Sequence, residues 1–251
     1  MVNIYASIRW TLFLGSSARK TLSVFLALLT VNLCWLIFTP TPSLLSFIEG
    51  YGYGYFSTVP YLYLLIINGL PVFLLLNIFG NYNDKFIKYV AIRIRCMTNY
   101  VKIVEVAAFI FILIYIFAYL ITAILSLFIL SILSYSNQLY VLDITYSQIG
   151  YVILNVTLRY FELIVLFFLA FIFTVYFQNI IEGFLVSMSL YAPLLINCGQ
   201  LYPMGLSSLV RQNNISSNCF FSFIVSFFVY AIIYTICKLI LKKWATKSRH
   251  H

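Results

Sequence analysis

Six stretches of this sequence are long and apolar enough to cross a lipid bilayer as helices. They are Thr21–Phe38, Val59–Phe79, Val106–Leu133, Tyr160–Phe177, Ile180–Ile196 and Cys219–Leu241. A hydrocarbon core about 30 Å thick takes about 20 residues of helix at 1.5 Å each. Within it every main-chain N–H and C=O must bond internally, which leaves helices as the simplest solution for such runs. The expected fold is therefore all-α: a polytopic integral membrane protein of six transmembrane helices with both termini in the cytoplasm.

Composition narrows what else the chain can hold. Of its 251 residues, 63% are hydrophobic and 8% charged, with a mean hydropathy of +1.02. A soluble domain carries roughly 25% charged residues, so this chain has too little polar surface to cover itself in water. One membrane domain spanning 1–251 is expected. Residues 1–20 lead in, 21–249 form the six-helix domain, and His250 and His251 look like a tag remnant. Residues Ile4 to Leu14, with Arg9 and Trp10, read either as a short interfacial helix or as a frayed tail. No small-residue cleavage site follows Phe38, where Thr39, Pro40, Thr41 and Pro42 end the helix, so a cleavable signal is not expected.

Charge placement predicts orientation. With the N-terminus inside, the inner side collects Arg9, Arg19, Lys20, Lys85, Lys88, Arg93, Arg95, Lys102, Lys238, Lys242, Lys243, Lys247 and Arg249. The outer side keeps Arg159 and Arg211. Thirteen against two follows the positive-inside bias. The net charge of +9 is thus spent beside apolar spans, and no nucleic-acid partner is expected.

The fourth and fifth stretches meet at Gln178 and Asn179 and read as a tight hairpin, since 160–196 is too long for one span. Asn68, Gly69 and Pro71 interrupt the second; proline removes a helical hydrogen bond and typically kinks the helix. Asn68 and Pro71 are therefore candidates for a pathway or gate, with ordinary packing irregularity as the alternative. Of the six acids, Glu105 is expected to pair with Lys102, and Glu162 with Arg159, at i,i+3 spacing. As a set they read as interfacial anchors and helix-end charges. Glu162 is the exception to watch, because an acid deep in a span is functional by default.

Several motifs fail their chemical tests. The run from Gly15 to Thr21 lacks the second glycine of a phosphate loop. Gly50 to Tyr55 has the glycine–tyrosine alternation of a potassium filter without its preceding Thr-Val pair. Asn155 and Asn214 start glycosylation patterns that arise often by chance. The five cysteines (Cys34, Cys96, Cys198, Cys219 and Cys237) show no metal spacing, although Cys198 and Cys219 bracket one outer loop and could pair if oxidised. No catalytic constellation, metal site or cofactor is expected in this chain, so it is not read as an enzyme.

The one sizeable inner loop runs from Asn81 to Glu105. Asn81, Asn83 and Asp84 are helix-capping candidates, and Lys85, Lys88, Arg95 and Lys102 share one face of a continuous helix. It reads either as a docking face for a cytoplasmic protein or as a topology anchor. This loop, its stretch Tyr89 to Arg95 with Arg93 and Arg95, the following Tyr100 and Lys102, and the six-span layout resemble the permease subunits of type-two ATP-binding-cassette exporters. Those subunits include lantibiotic-immunity and antimicrobial-peptide transporters. The resemblance implies a separate nucleotide-binding ATPase that holds ATP and Mg, and contact with it through Asp84, Lys85, Lys88, Arg93 and Arg95. It further implies pairing with a second permease, an amphipathic or hydrophobic peptide as cargo, and a bacterial cytoplasmic membrane. It also implies re-entrant elements before the sixth span, with Pro193, Gly199, Pro203 and Gly205 marking the equivalent here. A small-molecule or ion-coupled carrier, or a non-transport immunity or scaffold protein, are the alternatives.

Overall fold

The structure is a computed structural model. It describes residues 18–38, 47, 58–80, 97–133, 146–196, 201–216 and 218–247. Seven α-helices are found among them: α1 (Ala18–Phe38), α2 (Thr58–Phe79), α3 (Met97–Leu133), α4 (Tyr146–Phe177), α5 (Ile180–Ser189), α6 (Leu209–Ile215) and α7 (Cys219–Lys247). A 3-10 turn, Ala192–Ile196, follows α5. No strand occurs among the described residues. The all-helical expectation holds.

Four helices are long and apolar enough to span a membrane: Val59–Phe79, Met97–Leu133, Ile149–Phe177 and Cys219–Thr246. The chain thus has the character of a multi-pass membrane protein. The apolar parts of the other two segments, Leu22–Ile37 and Ile180–Leu194, are shorter.

Side-chain placement is that of a protein with lipid for solvent. On α3, Leu113, Ile114, Phe117, Ile121, Ile124 and Phe128 form an exposed apolar stripe. The opposite stripe, Val104, Ala108, Ile112, Tyr115, Tyr119, Thr122 and Ser126, is buried and carries the polar groups. Helical periodicity separates the two. On α7, Phe228, Ile232, Ile236 and Ile240 are likewise exposed. Apolar area on this scale would drive association in water.

The helices depart from the sequence expectation in instructive places. α4 begins at Tyr146, not Tyr160. Gln148, Asn155, Thr157 and Arg159 lower the hydropathy of its first turns, but the last three bond within the protein, which offsets the cost of carrying them. Asn155 is buried, and its Nδ2 donates to the Tyr151 carbonyl at 2.9 Å. The fifth stretch is not a continuous helix to Ile196: α5 is 10 residues long and stops at Ser189. Pro193 has no N–H to offer the Ser189 carbonyl, so the α-helix cannot run through it. α7 continues past Leu241 to Lys247. α2 runs unbroken through Pro71.

The α4–α5 hairpin is as tight as Gln178 and Asn179 imply. Gln178 takes a left-handed conformation, φ 55°, and the Asn179 side chain caps α5 by accepting from the Ile181 N–H at 2.9 Å. A Cβ on Gly183 would lie 2.6 Å from the Thr174 backbone nitrogen. Only glycine permits that approach. Glu182, in the first turn of α5, accepts from Asn179 Nδ2 at 2.9 Å and so reads as the helix-end charge expected of it.

Candidate functional site: a buried carboxylate and a half-buried arginine

Glu162 lies beside the midpoint of the apolar stretch Ile149–Phe177 and is fully buried. It is not an interfacial anchor, because α4 starts four turns before the position expected for it. An unpaired charge at such depth costs at least about 2.5 kcal/mol, so the surroundings of this carboxylate decide whether the helix is tolerated.

Those surroundings are four donors. Oε1 accepts from the Tyr191 hydroxyl at 2.7 Å and from the Gly205 N–H at 2.8 Å. Oε2 accepts from the Tyr230 hydroxyl at 3.0 Å and from the Ser207 N–H at 3.3 Å. Main-chain N–H groups can only donate, so the shell is built for an acceptor. Tyr191 in turn accepts from Asn68 Nδ2 at 2.8 Å. One carboxylate therefore ties α4 to α2, to α7, to Tyr191 just after α5, and to the irregular residues 201–208 before α6.

Residues 201–208 lie against the middle of α4, where Glu162 bonds the Gly205 and Ser207 main chain. Non-helical main chain is tolerated inside a membrane where protein surrounds it. Met204, Leu206, Ser207 and Ser208 are all buried. Gly205 adopts φ +76°, and a Cβ there would meet Leu194 Cδ1 at 3.0 Å. Both the dihedral and the space demand glycine. Arg211, counted above with the outer loop, is instead 1% exposed on α6, where its Nη1 donates to the Met204 carbonyl. Gln212 Nε2 donates to Asn155 Oδ1 at 2.8 Å, which joins α6 to α4 a second time.

One turn before Glu162, Arg159 lies inside α4 and not in an outer loop. It does not pair with Glu162 as its spacing predicts. Its Nη1 donates to the Tyr119 hydroxyl at 3.1 Å and to the Phe47 carbonyl at 3.3 Å, and its guanidinium lies 5.1 Å from the centre of the Tyr119 ring. Tyr63 donates to Asn32 Oδ1 at 2.9 Å, and Asn32 Nδ2 donates to Thr122 Oγ1 at 3.0 Å. The Tyr63 and Tyr119 hydroxyls are 2.9 Å apart, and Tyr119 also reaches the Phe47 carbonyl at 3.0 Å. Trp35 stacks on Tyr63 with ring centres 4.6 Å apart. A cavity of about 10 Å³ lies between this cluster and the Glu162 segment, lined by Tyr119, Asn155, Val156, Arg159, Ser207 and Ser208 among others.

The one ion pair among the described residues is peripheral. Glu105 on α3 pairs with Lys238 on α7 at 2.6 Å and accepts from the Tyr234 hydroxyl. Its expected partner Lys102 is exposed instead. Interhelical contact replaces the i,i+3 pair because Tyr234 and Lys238, four residues apart, present their polar ends to α3 together.

Of the candidate site residues, Asn68 and Glu162 are brought together through Tyr191. Pro71 is buried in α2 but makes no polar contact with them. Asp84, Lys85, Lys88, Arg93 and Arg95 lie outside the described residues, as does Cys198 and hence its pairing with Cys219. Sequence reasoning marked Gly205 as part of an irregular segment but not as a donor to Glu162, and it missed Tyr119, Tyr191, Tyr230 and the interior role of Arg159. Their available signal was a hydroxyl or charge inside an apolar run, each of which needs a partner once away from water. Among the described residues, no group of three His, Cys, Asp or Glu side chains could hold a metal ion. Compared with protein-family models, with curated proteins and with solved structures, the chain matches none.

Proposed function

We propose that this chain is the membrane-spanning subunit of an ATP-binding-cassette exporter in a bacterial cytoplasmic membrane. It works with a second permease and a separate ATPase, which holds ATP and Mg, and it moves amphipathic or hydrophobic peptides. The observation that carries the reading is the irregular chain of residues 191–196 and 201–208, which meets Glu162 at the middle of α4 before the last helix. The resembling permeases place re-entrant elements at that point. A carboxylate with four protein donors has no site left for a transported ion, so the driving force is assigned to a partner. The chain itself hydrolyses nothing.

In this reading α1 and the α5 segment complete six crossings, with both termini inside. α1 has 21 residues, about 31 Å at 1.5 Å each. With Arg159 and Arg211 interior, the outer loops lose the two basic residues counted there, which sharpens the charge asymmetry. The loop carrying Asp84, Lys85, Lys88, Arg93 and Arg95 then faces the ATPase.

The test is co-purification of the chain with a nucleotide-binding subunit encoded beside it. Association lost on reversing Arg93 and Arg95 to Glu, in a protein that still folds, supports the exporter. If no ATPase associates while the folded chain binds a transported solute alone, the reading fails. An ion-coupled carrier is the second reading: a buried carboxylate linked to tyrosines and Asn68 is the group it would use, and it would require Glu162 to release its donors before an ion could bind. Ion flux in proteoliposomes without nucleotide, abolished by Glu162→Gln, would establish that alternative.

A further inference from the structure

Arg159 uses only part of its hydrogen-bonding capacity. A guanidinium has five N–H donors in a planar fork. Nη1 is taken by the Tyr119 hydroxyl and the Phe47 carbonyl. Nε is buried without an acceptor, and Nη2 makes no hydrogen bond to any described group. Nε and Nη2 point along the same edge of the fork, the edge that receives both oxygens of a carboxylate side-on.

Nor does this cation form an ion pair among the described residues; Glu162, one turn away, acts on it only through space. Their one ion pair joins Lys238 to Glu105. Glu162, the nearest acid along α4, is held by four other donors. A cation at this depth with an open two-donor edge is an expensive arrangement if nothing uses it. Arg159 lines the cavity between Val156, Asn155 and the serines 207 and 208.

We infer that Arg159 is the receptor for a carboxylate on the transported molecule, bound side-on through Nε and Nη2 in the cavity beside Ser207 and Ser208. The cavity, about 10 Å³, holds one oxygen-sized atom, so a whole carboxylate enters only when the Gly205–Ser208 segment moves away. That segment is the one Glu162 clasps through the N–H groups of Gly205 and Ser207. The acid and the arginine thereby divide the work: Glu162 holds the segment closed, and Arg159 binds what enters when it opens. Assigning the carboxylate to an exported peptide rests on the reading proposed above; the site itself does not.

The test uses the purified full chain in maltoside micelles and three eight-carbon probes: octanoate, octanamide and octyl phosphate. Calorimetric titration should show octanoate binding about tenfold or more tighter than octanamide, the margin of one charge-assisted pair. Octyl phosphate should be weaker than octanoate. Arg159→Lys, which keeps the charge and loses the planar edge, should bring octanoate down to the octanamide level. Should that variant not fold, Val156→Phe, which fills the cavity and leaves Arg159, should do the same. Equal binding of octanoate and octanamide, or octanoate binding unchanged in either folded variant, overturns the site. Octyl phosphate binding as tightly as octanoate overturns the carboxylate assignment in favour of a lipid phosphate. Octanoate binding in a chain that recruits no ATPase leaves the site standing and removes the exporter.

Discussion

The main-chain N–H of Gly205 donates to Glu162 Oε1 at 2.8 Å, joining a left-handed glycine in an irregular loop to an acid in the middle of a 32-residue helix. Neither residue makes sense alone. The acid would be an uncompensated charge, and the loop would leave main-chain donors unbonded. Together each removes the other's penalty, which makes the pair sensitive from both sides.

Replacing Glu162 by Gln turns one acceptor oxygen into a donor that faces N–H or O–H groups. The variant should lose about 2–4 kcal/mol of stability, the range for breaking a buried charged hydrogen-bond set. Thermal unfolding in detergent, followed by tryptophan fluorescence, measures it. A loss under about 0.5 kcal/mol would mean that the carboxylate does not hold the segment.

Gly205→Ala attacks the same bond from the loop. The φ of +76° and the 3.0 Å approach to Leu194 Cδ1 predict destabilisation of at least about 1–2 kcal/mol. Gly150→Ala, where nothing lies within 4 Å, should be neutral or stabilising by up to about 1 kcal/mol, since alanine is the better helix former. The two melting temperatures should move apart by several degrees.

The α4–α5 hairpin has its own weak point. Gly183→Ala would set a Cβ 2.6 Å from the Thr174 backbone nitrogen, and backbone cannot yield as a side chain can. The hairpin should open, with a loss of several kcal/mol or failure to fold. Gly183→Ala combined with Thr174→Ala should not be rescued, because the clash is with main chain.

The Glu105–Lys238 pair should contribute little to stability. Lys238 is 54% exposed, and exposed pairs are worth about 0.2–1 kcal/mol. Either charge reversal alone should lower the melting temperature slightly, and the double exchange should restore it. A coupling energy above about 2 kcal/mol in the double-mutant cycle would mean that the pair is far drier than its exposure indicates.

Hydropathy made the apolar segments legible, because lipid demands length and apolarity and little else. It misplaced the start of α4 for the same reason. Asn155 and Arg159 look like loop residues to any measure that averages side chains one by one, yet both bond inside the bundle. The clasp was legible only in separate pieces, as its acid, Asn68 and Gly205, with nothing to say that they meet. Tyr191, Gly205 and Tyr230 lie 29, 43 and 68 residues beyond Glu162, and no local pattern relates residues at such separations. Arg159 was assigned to Glu162 by helical spacing, but the better donors for that acid came from elsewhere in the chain.

The Tyr119 hydroxyl has a single proton and two claimants for it. Asn32 Nδ2 already faces Thr122, so Tyr63 must give its own proton to Asn32 Oδ1, leaving the Tyr63 oxygen to receive. Tyr119 then turns its proton either to Tyr63 or to the Phe47 carbonyl, and its oxygen accepts from Arg159 in either case. The links from α3 to α2 and from α3 to Phe47 are therefore alternatives, exchanged by rotating one C–O bond. If α2 draws back from α3, that hydroxyl loses no hydrogen bond; it changes its recipient, and the core can alter shape there without exposing an unbonded proton.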